Sequence, residues 1–301
     1  MGMPSSSATS QIAAQRTFVS GLGNDSNTCS RSASCRTFGQ AISQTNSSGE
    51  VYVLDSAGYA AFTITKPISI VAPLGVTAGI SVFSGDGITI NAGGSDTVIL
   101  TGLTVSNQGS SGSGIVFNSG RTLHVESCVA NGFSGGSGIS VVPSNNGAVF
   151  VRDTIARGNN VGLSVHLTGT AITQVTMDQV HLDGNSGKGL EVLAVNVTIA
   201  IAAIRNSSAS GNGGGGMSVG STSRAIASLD IESCLIANNT MLGIETSSAS
   251  TAIAAMSISN CTISHGGVSF IINGGSISSR GNNTFIGSPP GIGSLTPLGA
   301  Q

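Results

Sequence analysis

Glycine followed by an apolar residue, a variable residue and a second apolar or β-branched residue recurs seven times along this 301-residue chain. Successive glycines of the motif are 27, 24, 24, 27, 27 and 27 residues apart. A nearly fixed period between 20 and 50 residues is typical of a solenoid, a propeller or another repeat array. The repeated glycines are Gly87, Gly114, Gly138, Gly162, Gly189, Gly216 and Gly243.

The apolar residues within each repeat alternate with a period of two, as at Leu229 and Ile231. This alternation is typical of strands, and a repeat of 24–27 residues holds three short strands but no helix of about ten residues. Ankyrin, tetratricopeptide and HEAT repeats are thereby excluded. Equivalent strands of successive coils then pair in parallel at about 4.8 Å. The sequence therefore predicts an all-β fold, a right-handed parallel β-helix, over residues 51–283.

Stacked coils place equivalent side chains above one another, so each repeat position becomes a column. We predict an inward column of small residues, namely Cys128, Thr154, Val180, Ser207, Cys234 and Cys261. An outward column alternates in charge and so avoids like-charged neighbours; it holds Glu126, Arg152, Asp178, Arg205, Glu232 and Ser259. The polar column between them, which is typical of turns, holds Ser127, Asp153, Gln179, Asn206, Ser233 and Asn260.

The N-terminal region departs from the repeat. Residues 36–45 place Phe38, Ala41 and Ile42 on one helical face, which predicts a short helix with one apolar side. The first coil of a β-helix exposes an unpaired strand edge that needs cover. We therefore expect residues 16–50 to hold a strand, a cysteine-containing loop and this capping helix.

The five cysteines are too few for a disulfide framework in a chain of this length. Cys29 and Cys35 are close together in a Ser/Asn-rich loop, and we expect them to form a disulfide. Residues 284–301 are rich in proline and glycine and are expected to form an irregular tail. Residues 1–15 lack the charged and apolar regions of an intact signal peptide and are expected to be disordered or processed.

Composition excludes two classes of partner. Only 8% of the residues are charged, and 11 basic against 13 acidic residues give a net charge of −2. Such a chain has no basic surface for a phosphate backbone, which excludes nucleic acid. No stretch approaches 18 consecutive apolar residues, so no membrane span is predicted.

Two parts of the sequence resemble known proteins. Arg16-Thr-Phe-Val-Ser-Gly-Leu-Gly-Asn-Asp, followed by Cys29, Cys35-Arg-Thr-Phe and Gln40-Ala-Ile, resembles the N-terminal region of a group of bacterial right-handed parallel β-helix repeat proteins. The glycine repeat over residues 87–243 is similar to that of pectate lyases and related polysaccharide-active proteins. The resemblance implies a secreted, periplasmic or cell-surface protein in contact with a saccharide. It leaves the activity open, because one fold hosts many functions.

The outer face of the repeated strand departs from the pectate-lyase pattern. Enzymes of that kind pair a Ca²⁺-binding group of carboxylates with an arginine or lysine that abstracts a proton. Here the outward positions hold two carboxylates two coils apart and no arginine, so no metal site and no cofactor are expected. These outward residues are Thr89, Val116, Ser140, Ser164, Glu191, Ser218 and Glu245.

The remaining enzymatic hypothesis makes Glu191 and Glu245 an acid–base pair, with His166 one coil from Glu191. Two coils separate the backbones of the pair by about 9.6 Å, and inverting glycosidases hold their carboxyl groups roughly 6.5–9.5 Å apart. Lys188 precedes this strand. The candidate ligand-binding residues are Ser140, Ser164, Lys188 and Ser218.

Two classes of function stay open. One is a non-catalytic protein that binds a polysaccharide or cell-surface glycan, or forms an adhesive structure, through its polar faces. The other is a polysaccharide lyase or glycoside hydrolase that acts on the outer face of the repeated strand. Low charge and columns of Ser, Thr and Asn favour the first. The other histidines, His124, His181 and His265, have no second metal-ligating residue at a suitable spacing and carry no hypothesis.

Overall fold

The computed structural model describes residues 14–249, 251–287 and 289–299. The chain forms about nine turns of a right-handed parallel β-helix, which confirms the fold expected from the glycine repeat. Successive coils pair in parallel over as many as seven residues per strand. Most of segment 1–15, expected to be disordered or processed, lies outside the described residues.

Three faces surround one apolar core. Within the described residues, sheet 1 holds twelve strands and extends from the first coil to the last. Its strands, in spatial order, are Ala14–Val19, Thr45–Val53, Ile68–Val71, Thr97–Thr101, Thr122–Glu126, Gly147–Arg152, Ile172–Asp178, Ile199–Arg205, Ile226–Glu232, Ile253–Ser259, Ser276–Ser279 and Thr296–Pro297.

Sheet 2 contains the repeated motif and holds nine strands in the part of the chain that the structure describes. Its strands are Phe62–Ile64, Ile88–Asn91, Ile115–Ser119, Ser137–Val141, Val161–Leu167, Lys188–Ala194, Gly215–Ser221, Leu242–Ser248 and Val268–Asn273. Along each strand buried apolar residues alternate with outward residues, as the period of two predicts.

The third face is interrupted in the middle. A five-stranded sheet is followed by single-residue bridges at His181 and Ser208, and then by a three-stranded sheet. The strands of the first are Ala57–Ala60, Ala78–Val82, Leu103–Asn107, Val129–Asn131 and Ile155–Arg157. Those of the second are Leu235–Ala237, Thr262–Ser264 and Thr284–Ile286.

The repeated glycines are required because neighbouring coils approach each other closely. A Cβ atom built on Gly162 would lie 2.6 Å from the carbonyl oxygen of Gly189, and one on Gly189 would lie 2.8 Å from that of Gly216. The side-chain nitrogens of Asn185 and Asn212 lie 2.9 Å from these two Cβ positions, respectively. The period of the sequence is therefore the period of this contact.

A column of buried asparagines, which the sequence analysis missed, lies beside these glycines. Each of the first three side-chain amides donates to the side-chain oxygen of the next asparagine at 3.0–3.1 Å. Each also donates to a main-chain carbonyl oxygen of the preceding coil. Buried polar groups require such partners. We call this set, Asn159, Asn185, Asn212 and Asn239, the asparagine column.

The other predicted columns are in register. The inward column from Cys128 to Cys261 is buried throughout, and its three cysteines are free thiols. Burial raises the pKa of the Cys128 thiol to about 11. All six residues of the polar column have φ between 48° and 56°, the left-handed region that asparagine and aspartate tolerate best.

The outward residues from Glu126 to Ser259, which we call the charged column, alternate in sign as expected. Neighbouring members of the described column form one ion pair, between Arg205 Nη2 and Asp178 Oδ2 at 3.1 Å. The predicted ladder of charges therefore exists as a pattern, while direct contact is confined to one step.

The N-terminal end is capped as predicted. A helix spans Phe38–Gln44, begins where the Thr37 side chain accepts a hydrogen bond from the Gln40 amide, and buries the predicted face. The Phe38 ring packs 4.6 Å from the Phe62 ring of the second sheet. Cys29 and Cys35 form a disulfide in the preceding loop. No helix in the described part of the chain is long and apolar enough to cross a membrane.

The coils continue into the expected irregular tail, 284–301. Thr284–Ile286 pairs with Thr262–Ser264, and Thr296–Pro297 pairs with the last full strand of sheet 1. Proline is tolerated there because it lies in an edge strand, where a missing amide donor costs no ladder bond.

Candidate functional site

The outward residues of sheet 2 lie in one column along consecutive coils. Ser140 pairs with Ser164, Ser164 with Glu191, Glu191 with Ser218, and Ser218 with Glu245. The glycine repeat fixes this register, because each of these residues lies two positions after a repeated glycine. The two carboxylates are thus two coils apart in the backbone.

Lys188 brings these two carboxylates together. Its Nζ lies 2.8 Å from Glu191 Oε1 and 3.8 Å from Glu245 Oε2. The two oxygens are therefore no further apart than the sum of these distances, about 6.6 Å. The three side chains are between 22% and 32% exposed, so the ion pairs are only partly screened by water.

Ser218 lies in the coil between the two carboxylates. It is 4% exposed, and its hydroxyl forms no hydrogen bond within the described chain. Further along the strand, the hydroxyl of Ser221 is buried and has no hydrogen-bond partner among the described residues. Both residues line a pocket of about 210 Å³ together with Lys188 and the two glutamates. We call Lys188, Glu191, Ser218 and Glu245 the sheet 2 cluster.

Three predicted site residues lie apart from this cluster. His166 is exposed beside Leu193 in the next outward column, and it has no hydrogen-bond or ion-pair partner among the described residues. Ser140 and Ser164 lie on the same face in earlier coils but do not line the pocket. The geometry therefore joins the lysine, one serine and both glutamates, and leaves the histidine out.

The chemistry of the cluster differs from that of a glycosidase pair. Glycosidases keep one carboxyl group protonated and the other ionised, on either side of the bond that breaks. Here a single ammonium lies within ion-pair distance of both carboxylates and between them. Glu191 Oε2 and Glu245 Oε1 remain as hydrogen-bond acceptors, and the ammonium retains donor capacity. This set of groups suits hydroxyl groups of a bound ligand.

A second polar cluster lies on the third face, where sequence reasoning regarded His181 as isolated. Its Nδ1 lies 2.9 Å from Ser208 Oγ, and Ser208 donates its proton to Asp183 Oδ2 at 2.8 Å. The 27-residue period pairs His181 with Ser208, so the repeat itself indicates that these two side chains are neighbours. No group of three or more His, Cys, Asp or Glu residues suited to a metal ion occurs within the described ranges.

No protein-family model and no curated protein sequence matches this chain. Among solved structures, it is similar to the pectate lyase Pel9A, with 16% identity and a TM-score of 0.64 over 97% of this chain and 79% of that one. A rhamnogalacturonan lyase matches at 14% identity and a TM-score of 0.44, over 87% of this chain and 75% of that one. A GH136 lacto-N-biosidase from Eubacterium ramulus matches at 9% identity and a TM-score of 0.42, over 93% and 68%. The chain has the pectate-lyase-like β-helix fold.

Proposed function

We propose that this protein is a secreted or cell-surface saccharide-binding β-helix that does not turn over its ligand at the sheet 2 cluster. The observation that carries the proposal is the contact of one ammonium, Lys188, with both carboxylates of the face. Glu191 Oε1 accepts a hydrogen bond from this ammonium at 2.8 Å, so that oxygen is not free to transfer a proton to a glycosidic oxygen. The same three groups hydrogen-bond readily to sugar hydroxyls.

The charge of the face favours an uncharged glycan. Apart from His166, the strands of sheet 2 hold three ionisable side chains, namely two glutamates and one lysine. Their formal charges sum to −1. A polyuronate chain laid along this face would meet like charge with no arginine to offset it. Neutral sugars carry no such penalty.

An enzymatic role for Glu191 and Glu245 is the second candidate. Its support is the separation of at most about 6.6 Å between the two oxygens. This upper limit reaches the lower end of the roughly 6.5–9.5 Å of inverting glycosidases and includes the roughly 5–5.5 Å of retaining ones. The similarity to a lyase fold makes an enzymatic role more plausible, but it identifies no catalytic residue in this chain.

The two candidates separate in one experiment. The purified protein is screened for binding to neutral and acidic glycans, and the same glycans are assayed for new reducing ends and unsaturated products. We expect binding to a neutral glycan, no product from the wild type, and an affinity reduced about 3- to 10-fold in Glu191→Gln, the effect of weakening one or two hydrogen bonds. Glu232→Gln, an exposed glutamate on sheet 1, is the matched control and should bind normally.

Two results would contradict the proposal. Product formed by the wild type and lost by about 10²-fold or more in Glu191→Gln would assign acid–base catalysis to this residue. Binding to polygalacturonate that is tighter than to every neutral glycan would contradict the charge argument.

A further inference from the structure

The third face has a pocket where its sheet is interrupted. On this face the five-stranded sheet ends at Ile155–Arg157, and the three-stranded sheet begins at Leu235–Ala237. The coils between them contribute only single-residue bridges at His181 and Ser208. The pocket left there has a volume of about 620 Å³, within the range of roughly 300–1,000 Å³ that ligand pockets occupy. It is about three times the volume of the pocket at the sheet 2 cluster.

Glycines keep this pocket open. Gly132, Gly158 and Gly184 lie in successive coils with φ of 83°, 65° and 65°, a conformation that glycine adopts without strain. A Cβ atom on Gly184 would meet no atom within 4 Å. The backbone torsion of the turn thus favours glycine. Because glycine has no side chain, these positions leave open space beside the polar residues of the pocket.

A hydrogen-bond chain fixes the tautomer of His181. Ser208 has one hydroxyl proton and donates it to Asp183 Oδ2 at 2.8 Å. The 2.9 Å contact between Ser208 Oγ and His181 Nδ1 must then use a proton on Nδ1. In the neutral ring Nε2 is consequently the unprotonated nitrogen and a hydrogen-bond acceptor. It has no partner within the described chain.

Asp183 is held in place and Arg157 is free. Asp183 Oδ1 accepts the amide of Ser210 at 2.8 Å while Oδ2 accepts Ser208. Arg157 lies one coil earlier, and no side-chain partner for it occurs among the described residues. The pocket therefore combines free donors from a guanidinium, a fixed acceptor on the imidazole and the apolar side chain of Ile155.

We propose that this third-face pocket is a second saccharide site for an uncharged, polyhydroxylated ligand. Arg157 donates to one sugar hydroxyl, another hydroxyl donates to His181 Nε2, and the C–H face of the ring lies against Ile155. Asp183 balances the charge of Arg157, so an uncharged ligand preserves neutrality, while a uronate would add an unbalanced negative charge to the pocket. Because the site is on a different face, it does not depend on the sheet 2 cluster. Two sites on one rigid rod would let a single molecule bridge two glycan chains.

The histidine ring provides a direct readout. The chain has four histidines, so a long-range ¹H–¹⁵N spectrum at pH 8 resolves few ring signals, and His181→Gln assigns those of His181. We expect the free protein to show a protonated Nδ1 and an unprotonated Nε2 at this residue. Titration with neutral tetrasaccharides of glucose, xylose, mannose and galactose should shift its Nε2 signal for at least one sugar, with tetragalacturonate as the charged probe.

Variants separate binding from positioning. Arg157→Gln should lower the affinity for the sugar that shifts the His181 signal about 5-fold or more, because one charged donor is lost. Ser208→Ala should lower this affinity less, and both tautomers of His181 should then appear in the spectrum, as expected for a positioning residue. Arg152→Gln, an exposed arginine of the same coil on sheet 1, is the matched control and should bind as the wild type does.

Several results would overturn the proposal. The first is an Nε2-protonated tautomer of His181 in the free protein. The second is no change in the His181 signal with any of the neutral tetrasaccharides at 50 mM, about the weakest affinity worth assigning. The others are a larger change with tetragalacturonate than with every neutral sugar, and an affinity in Arg157→Gln equal to that of the wild type. Glu191→Gln should leave the His181 response intact. This result distinguishes failure of the sheet 2 proposal from failure of the third-face site.

Discussion

The asparagine column and the charged column repeat with nearly the same period along the same coils, yet their contacts differ. In the asparagine column each side chain is bonded to a neighbouring coil, whereas in the charged column one step forms an ion pair. Burial explains the difference. A buried amide without a partner costs about 1–3 kcal/mol, whereas an exposed charge finds its partners in water. Strict repetition is therefore required inside the coils, and the outside is free to vary.

That freedom is where the candidate sites arise. Glu191 and Glu245 occupy outward positions that hold serine in neighbouring coils, and His181 occupies one that holds isoleucine in the preceding coil. Irregular residues in a regular outward column are tolerated by the fold. They are therefore the positions at which function can be placed without loss of stability.

The largest effect should come from the interior. Gly189→Ala places a methyl group 2.8 Å from the Gly216 carbonyl oxygen and 2.9 Å from the Asn212 amide, both of which lie in the packed coil interior. We expect a loss of about 3 kcal/mol, the upper end for overpacking, measured by denaturant unfolding. Gly58→Ala is the control, because a Cβ atom there meets nothing within 4 Å. Equal midpoints for the two variants would show that close approach does not explain the repeat.

A smaller effect should come from the asparagine column itself. Asn212→Ala removes the acceptor for both the main-chain and the side-chain amide of Asn185, and the donor to Leu182. We expect a loss of about 2 kcal/mol. Asn118→Ala, which removes an exposed bond between two asparagine side chains, should cost about 0.5 kcal/mol or less. Similar losses in both variants would remove the distinction between the interior and the exterior.

The fold could be predicted from the sequence because the repeated glycines mark a close backbone contact between successive coils. The capping helix and the register of the outward residues could also be predicted, since both follow from periodicity. The asparagine column was equally periodic, with spacings of 26, 27 and 27. It was missed because asparagine was read as a turn former, although these side chains are buried.

The candidate sites were less predictable, because they depend on side-chain reach. Register placed Glu191 and Glu245 about 9.6 Å apart in the backbone, and nothing in the register showed that Lys188 would join them. His166 was included in the predicted site because it is one coil away, although the period of two already places it in the next outward column, where it pairs with Leu193. His181 and Ser208 were predictable from the period, whereas the direction of the bond to Asp183 required coordinates.

The smallest effect should come from the charged column. Arg205→Glu removes the ion pair with Asp178 and places a third carboxylate in line with Glu232. Exposed pairs contribute about 0.2–1 kcal/mol, so we expect a loss in this range at pH 7 and low ionic strength. The loss should shrink in 1 M salt, where screening extends to about 3 Å. Arg152 forms no ion pair among the described residues, so Arg152→Glu should reduce the stability less than Arg205→Glu does.

The pH dependence of this loss tests its cause. A hydrogen bond from Asn206, together with the charge of Arg205, holds the pKa of Asp178 below its usual value of 3.8 and outweighs the opposing effect of desolvation. A lowered folded-state pKa stabilises the protein above the unfolded-state pKa, and this stabilisation disappears as pH falls through the folded-state value. In Arg205→Glu the introduced carboxylate is also protonated below about pH 4, which removes its repulsion. The difference in the free energy of unfolding between wild type and variant should therefore be largest near pH 7 and should disappear below pH 3. A gap that stays constant from pH 7 to pH 3 in thermal unfolding would show that the variant acts through packing, and the exterior of the coil would then be as constrained as its interior.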